Sequence, residues 1–410
     1  MVSFGSSTTP LRRELEAALP DRPFSLSFWD GASLPSTNGN GGPVFSARSP
    51  RAIAHALAAP GQLGLSRAYV SGELEVDDLD RVLALLDEWH PPAIDRATRL
   101  RLLLAAMRAA GVTRPPGAPE TELRPRGLRH SRERDARAVR HHYDVSNDFF
   151  ALFLDASMTY SCAIFGSDDE PLEAAQERKL EVVCSKLALQ PGERVLDVGC
   201  GWGSFPIHAA VNHGVHVVGI TLSEPQARLA RERAAAAGVA DRVEIRVMDY
   251  RELRGESPSM RTRFDAIASI GMVEHVGAAK IDLYAQQLAS LLEPGGRLLN
   301  HGIARLRHTD APPGGFTDRY VFPDAMPLQL SRVQRALEHA GFVTEHVEAY
   351  GEHYERTLTH WIERLDANAA EAQRRASPEH LRVWRLYMRG SRSAFRTGFM
   401  SIYQVRCRRA

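Results

Sequence analysis

From residue 194 onward, short apolar runs alternate with longer stretches whose apolar positions recur at helical spacing. The runs at 194–198, 215–221, 243–247, 264–269, 297–303 and 342–348 predict strands, and 399–405 predicts a closing strand. The stretches at 204–212, 224–237, 278–292 and 328–340 predict helices. Strand–helix alternation implies a parallel sheet covered on both faces. Glu293-Pro294-Gly295-Gly296 reads as a turn into the fifth strand. Residues 305–330 read as a polar, Pro/Gly-rich insertion, and 358–395 as a helical one bearing Trp361, Leu365, Trp384, Leu386 and Phe395. An insertion between the last two strands is expected over the carboxyl ends of the sheet, where ligands bind in open α/β folds.

Upstream, residues 171–189 place Leu172, Ala175, Leu180, Val183 and Leu187 on one helical face, and Pro191-Gly192 ends that helix. Helical spacing also marks 11–19, 82–89 and 97–110, and a short apolar helix falls within 63–79 ahead of a Gly72 turn. Residues 24–28 alternate like a strand, and 35–43 read as an exposed turn. Ser49-Pro50 opens a helix, with serine at the cap and proline in the first turn. This divides the chain into a mostly helical lobe at 1–112, a linker at 113–136 and an α/β domain at 137–410.

Composition narrows the class. A chain of 410 residues exceeds one ordinary core, so more than one lobe is expected. The formal charge of +1 gives no global case for nucleic acid, and none is expected as a partner. Cys162, Cys184, Cys200 and Cys407 are far apart and outline neither a disulfide framework nor a zinc site, so no metal is expected. The absence of a secretory pattern and of a long apolar run makes a cytoplasmic protein the expectation. The segment from Arg124 to Arg134 is locally basic. It reads either as a solvated connection or as a patch for anionic headgroups, with Arg124, Arg126, Arg129 and Arg132 as candidates. Arg385, Arg389, Arg392 and Arg396 form a second basic set.

The chemistry centres on RVLDVGCGWGS, residues 194–204, where Gly199, Gly201 and Gly203 follow a strand and precede a helix. Glycines there permit a tight turn and close ligand approach, and a helix start offers unpaired N–H groups. The third glycine comes one residue too early for the nicotinamide fingerprint. The turn resembles that of class I S-adenosylmethionine-dependent methyltransferases. Another nucleotide site, or a structural turn, stays open on this stretch alone. Strand two ends at Thr221 rather than the acid usual for ribose hydroxyls, with Ser223 and Gln226 beside it. Asp249 and Tyr250 follow strand three, and Asp249 is a candidate for the adenine amine. Trp202 faces either the ligand or the neighbouring helix.

The ordered blocks HHYDVSNDFFALFLD, MTYSCAIF, AQERKLEVVCSKL, LDVGCGWG, VVGITLSEPQ, FDAIASIGMVEHVG, Tyr320-Val321-Phe322-Pro323 and YERTLTHW make a more specific pattern. Together they resemble the cyclopropane-fatty-acyl-phospholipid synthase family, with its mycolic acid cyclopropane synthases and methylene-forming relatives. The resemblance implies a Rossmann-like seven-stranded sheet with helical cap insertions. It implies methyl transfer from S-adenosylmethionine to a cis double bond of a phospholipid acyl chain. A carbocation then loses a proton either directly, closing a cyclopropane, or after a hydride shift, leaving a methylene.

The family's bound bicarbonate base has holders matching Cys162, Glu274, His301, Tyr354 and the Ile303 backbone. Tyr143, Tyr160 and Ser161 match cofactor contacts. By themselves Cys162 reads as a small buried hydrophobe, His301 as a satisfied core histidine and Glu274 as part of a strand-end turn; the family blocks raise all three. The resemblance further implies a peripheral protein at the inner face of the membrane. It also suggests a homodimer and, for a 10-methylene (tuberculostearic acid precursor) product, a separate reductase. A small-molecule methyltransferase and a noncatalytic lipid-binding protein are the alternatives.

Overall fold

A computed structural model describes residues 7–39, 41–111, 116–124, 127–143, 146–253, 263–306 and 314–410, without the side chains of 139 and 141–143. Two compact units emerge: one from residues 1–124, 312–321 and 377–393, the other from 125–311, 322–376 and 394–410.

The first unit is helical around a small sheet that the sequence pattern only partly showed. Helices Thr9–Ala18, Pro50–Ala58, Gln62–Val70, Leu79–Glu88 and Arg96–Ala110 accompany strands β1 (Ser25–Ser27), β2 (Ser33–Leu34), β3 (Val44–Ala47) and β4 (Leu74–Val76). The strands lie in the order β2-β1-β3-β4. Ser49 caps its helix as expected, its side chain accepting from the Arg51 N–H. The unit also takes in most of helix Pro378–Arg396.

The second unit holds β5 (Arg194–Val198), β6 (His216–Thr221), β7 (Val243–Val247), β8 (Phe264–Ile270), β9 (Leu292–Arg305), β10 (Phe342–Ala349) and β11 (Met400–Arg409). These form one seven-stranded sheet among the described residues, ordered β10-β11-β9-β8-β5-β6-β7. β5 to β9 are parallel, and β11 runs antiparallel to both of its neighbours. The strands read as continuous apolar runs because both faces are covered. Val195, Val217, Ala266 and Leu299 pack towards helices Leu172–Leu187 and Ser204–His213. Leu196, Val218, Ile267 and Leu298 pack towards helices Ile281–Leu291 and Leu330–His339. Strand order reverses at β5/β8, which opens a crevice at the carboxyl ends of the strands.

Three local expectations change. The expected turn at 293–296 lies inside β9: Phe264 pairs with Leu292 and Ala266 with Arg297, so the Pro294-Gly295 stretch bulges from a continuous strand. The segment read as linker contains the start of helix Arg132–Tyr143. The 358–395 insertion is three helices, Gly351–Ala367, Ala369–Arg375 and Pro378–Arg396.

Candidate active site

A cavity opens at the carboxyl ends of β5, β6, β7 and β8. Its wall includes Gly199, Gly201, Trp202, Thr221, Gln226, Asp249, Tyr250, Tyr160 and Ser161. The turn after β5 runs through left-handed backbone at Gly199 (φ 89°) and Gly203 (φ 83°). A Cβ on Gly203 would sit 3.1 Å from Ala230 Cβ, so this glycine also lets helix Glu224–Ala236 pack closely. Gly203 and Ser223 are off the cavity wall; Ser223 caps that helix by accepting from the Gln226 N–H. Thr221 donates its hydroxyl to Gln226 Oε1 at 2.8 Å, which fixes the amide on the wall. Trp202 lines the cavity, and its indole N–H donates to Asn147 Oδ1 at 2.7 Å beside Phe150. The Tyr143 side chain lies outside the described residues.

Asp249 is not a lone acid. Arg251 donates to its carboxylate from Nε, at 2.8 Å, and from Nη2, and also reaches Asp135 at 2.9 Å. Burial pushes the Asp249 carboxyl up, but the Arg251 hydrogen bonds outweigh it, so Asp249 stays ionised below the usual range.

The second group of candidates gathers around the ends of β8 and β9. Glu274 follows β8 and is buried; its Oε1 accepts from the Ile303 N–H of β9 at 2.6 Å. Its Oε2 has no hydrogen-bond partner among the described residues. Burial pushes this carboxyl up to about 7. His301, on β9, is fully buried, and burial holds its ring down to about 3, so it is neutral. Its tautomer follows from its neighbours. Lys186 donates to Gln404 Oε1 at 2.7 Å, which turns the Gln404 amide N–H2 onto His301 Nδ1 at 3.0 Å. Nδ1 therefore accepts and Nε2 carries the proton, and Nε2 has no partner among the described residues.

Cys162 is fully buried and contacts the Tyr350 carbonyl at 3.7 Å; burial pushes its thiol up, so it stays protonated. The Tyr350 ring stacks on His301 at 6.4 Å, and Tyr354 lies one helical turn beyond Tyr350. The fold thus links Cys162, Glu274, His301 and Ile303 through Tyr350 and β9, while the Tyr354 ring packs against Phe395 at 4.7 Å and Trp361 at 6.1 Å. None of the five is on the cavity wall described above.

Residues 130–405 match the family model for mycolic acid cyclopropane synthetase. The chain belongs to that family. It is 38% identical over 407 residues to a probable fatty acid methyltransferase of Mycobacterium tuberculosis, covering 96% of this chain and 92% of that one. It is 32% identical to the tuberculostearic acid methyltransferase UfaA1 of the same organism, covering 97% and 91%. It is similar in structure to the mycolic acid cyclopropane synthase CmaA1 complexed with SAH and CTAB. The TM-score there is 0.62 at 32% identity, covering 67% of this chain and 98% of that one. This member of the mycolic acid cyclopropane synthetase family is an S-adenosylmethionine-dependent methyltransferase by fold and lineage.

Two residues of this family member escaped sequence reasoning. Lys179 and Asp197 are both buried and line the cavity. Lys179 donates to Ser161 Oγ at 2.9 Å, and Gln176 holds the Ser161 carbonyl at 2.9 Å. Burial pushes Lys179 down to about 8 and Asp197 up to about 7, each opposed by the other's charge. The signal was present: Lys179 falls within the apolar stripe of its helix, and Asp197 interrupts an apolar strand.

The basic segments prove largely ion-paired. Arg129 donates to Asp324 at 2.8 Å, Arg134 joins the same carboxylate at 2.7 Å, and Arg132 reaches Glu252 at 3.4 Å. Arg124 stays largely exposed, 3.8 Å from Glu122, while Arg126 lies outside the described residues. Arg389 and Arg392 both pair with Asp80.

Proposed function

We propose that this enzyme transfers a methyl group from S-adenosylmethionine to the cis double bond of an oleoyl chain esterified in phospholipid. The product proposed is the 10-methylene acyl chain. The cosubstrate is assigned to the cavity, with its amino-acid end towards Ser161 and Lys179 and its nucleoside end towards Thr221, Gln226, Asp249 and Tyr250. The glycine turn supplies the close backbone approach.

One observation carries the deprotonation step: two buried polar atoms, His301 Nε2 and Glu274 Oε2, without partners among the described residues. Uncompensated buried polar atoms are costly, and a small oxyanion satisfies both. A bound bicarbonate would supply the base that removes the proton from the transferred methyl. The residues here fit such an anion. His301 would donate from Nε2, Glu274, near neutrality, would share a proton from Oε2, and Cys162 would remain a thiol. The Ile303 N–H holds Glu274 in place, and Tyr354 is assigned a further donor role by the family resemblance alone. An alkene is a weak nucleophile, so holding the methyl donor in line supplies much of the rate.

Membrane association is proposed to run through helix Arg96–Ala110. Leu100, Leu103, Leu104 and Met107 are between 43% and 56% exposed at i, i+3, i+4 and i+7. Arg96, Arg99 and Arg108 are exposed on the same helix, which has no acidic residue of its own, while Arg101 pairs with Glu14 at 3.1 Å. Such a face suits an anionic headgroup layer. Among the described residues no helix is long and apolar enough to cross a membrane.

The test is lipid analysis from cells expressing the chain and fed oleate, using proton resonances because both products have the same mass. Exocyclic vinyl protons at carbon ten support the methylene reading and imply a downstream reductase. Cyclopropyl protons assign the ring-forming reaction instead. Unmodified acyl chains refute the lipid assignment.

A further inference from the structure

Away from the cavity, helices Leu172–Leu187 and Ser204–His213 pack side by side against the same sheet face. At their contact stand Glu181, Cys184, His208 and His213. One ligand atom each from Cys184, His208 and His213 lies within 4.8 Å of the other two. The Nε2 atoms of His208 and His213 both converge on one oxygen, Glu181 Oε2, at 3.2 and 3.0 Å. We propose that these four side chains form a zinc-type divalent-metal site that staples the two helices together.

The donor set and spacing carry the proposal. Two imidazole nitrogens, a thiolate and a carboxylate oxygen are borderline ligands of the kind tetrahedral Zn²⁺ takes. Tetrahedral bonds of about 2.0–2.3 Å put ligand atoms about 3.3–3.6 Å apart. The oxygen–nitrogen edges are already near that; the set within 4.8 Å holds Cys184, His208 and His213 but not Glu181, so the Cys184–Glu181 edge has to shorten by side-chain rotation on binding.

The ligands are also braced from behind, as metal ligands commonly are. Ser185 Oγ donates to Glu181 Oε1 at 3.1 Å, which leaves Oε2 for the two rings. Asn212 Nδ2 lies 3.1 Å from His208 Nδ1; metal binding through Nε2 requires the Nδ1–H tautomer, so on binding the Asn212 amide turns its oxygen to that nitrogen. Cys184 is fully buried while Glu181 is half-exposed, so an ion has a path in from solvent. On binding, the Cys184 thiol releases its proton to solvent and both imidazoles bind neutral.

The site bears on the cavity mechanically. Helix Leu172–Leu187 also presents Lys179 and Gln176 to Ser161, and helix Ser204–His213 begins directly after Gly203. A metal between them fixes the spacing of two walls of the cavity.

The test uses the full-length protein, stripped with a chelator and titrated with Co²⁺ and then Zn²⁺. The expected result is one molar equivalent of Co²⁺ giving thiolate-to-cobalt charge-transfer absorption, bleached by Zn²⁺. Cys184→Ser loses the charge-transfer band. His213→Asn and Glu181→Gln weaken Zn²⁺ binding about 10-fold or more. Zn²⁺ raises the Tm of the unaltered chain but not of His213→Asn. Glu181→Gln, half-exposed and nearly isosteric, keeps the comparison valid if either other variant folds poorly. Absence of the charge-transfer band, or equal Zn²⁺ uptake by the unaltered chain, His213→Asn and Glu181→Gln, overturns the proposal and leaves a hydrogen-bonded cluster only.

Discussion

Replacing Glu274 with glutamine separates stability from chemistry. The carboxyl is buried, its Oε1 accepts from the Ile303 N–H at 2.6 Å, and burial pushes it up to about 7 from an ordinary 4.5. A raised carboxyl favours the neutral form in the folded state. The folded protein therefore bears no ionisation penalty below about pH 4.5, an increasing one between 4.5 and 7, and the full one above 7. At about 1.4 kcal/mol for each tenfold change in proton affinity, the full penalty is about 3 kcal/mol, with roughly a quarter present at pH 5. Glutamine keeps the acceptor for Ile303 and never ionises. E274Q is expected to gain about 2 kcal/mol over the unaltered chain between pH 5 and pH 8, read from denaturant midpoints at both values. Its methyl-transfer turnover on oleoyl phospholipid should fall by about 10²-fold or more, since the amide cannot share a proton with a base. Unchanged turnover would remove Glu274 from the chemistry. An E274Q protein less stable than the unaltered chain by the same margin at both pH values would refute the burial argument.

Other substitutions probe the rest of the site. Gln404→Leu releases His301 Nδ1 and allows the wrong tautomer, so turnover should drop about tenfold while SAH affinity by calorimetry stays unchanged; a loss confined to SAH binding would contradict this. Lys179→Met removes the donor to Ser161 and should weaken SAH binding about tenfold, with a near-unchanged Kd as the opposing result. Gly203→Ala puts a Cβ on left-handed backbone 3.1 Å from Ala230, at a cost of about 1–2 kcal/mol seen as a lower Tm. The pair Leu103→Ser and Leu104→Ser should weaken cosedimentation with anionic vesicles about tenfold; equal binding would move the membrane contact elsewhere.

The sequence by itself determined the sheet and the glycine turn. Apolar runs at period two or less, broken by helical stretches, leave a buried parallel sheet as the consistent solution for β5 to β9, whereas the antiparallel course of β11 was not in the pattern; Gly199 and Gly203 mark backbone that L side chains avoid. It offered Cys162, Glu274, His301 and Tyr354 only as candidates, through ordered family blocks, because each residue alone has a commoner structural explanation.

Tertiary structure decided the partners. That Lys186 sets the Gln404 amide and through it the His301 tautomer depends on residues more than two hundred positions apart in the chain. Pairing of Arg129 and Arg134 with the buried Asp324 turned a basic linker into an ion-paired segment for the same reason. Local periodicity reports whether a position is buried, not which distant group meets it there. Cys184, His208 and His213 show this most directly: no spacing in the chain unites them, and two helices sharing one sheet face do.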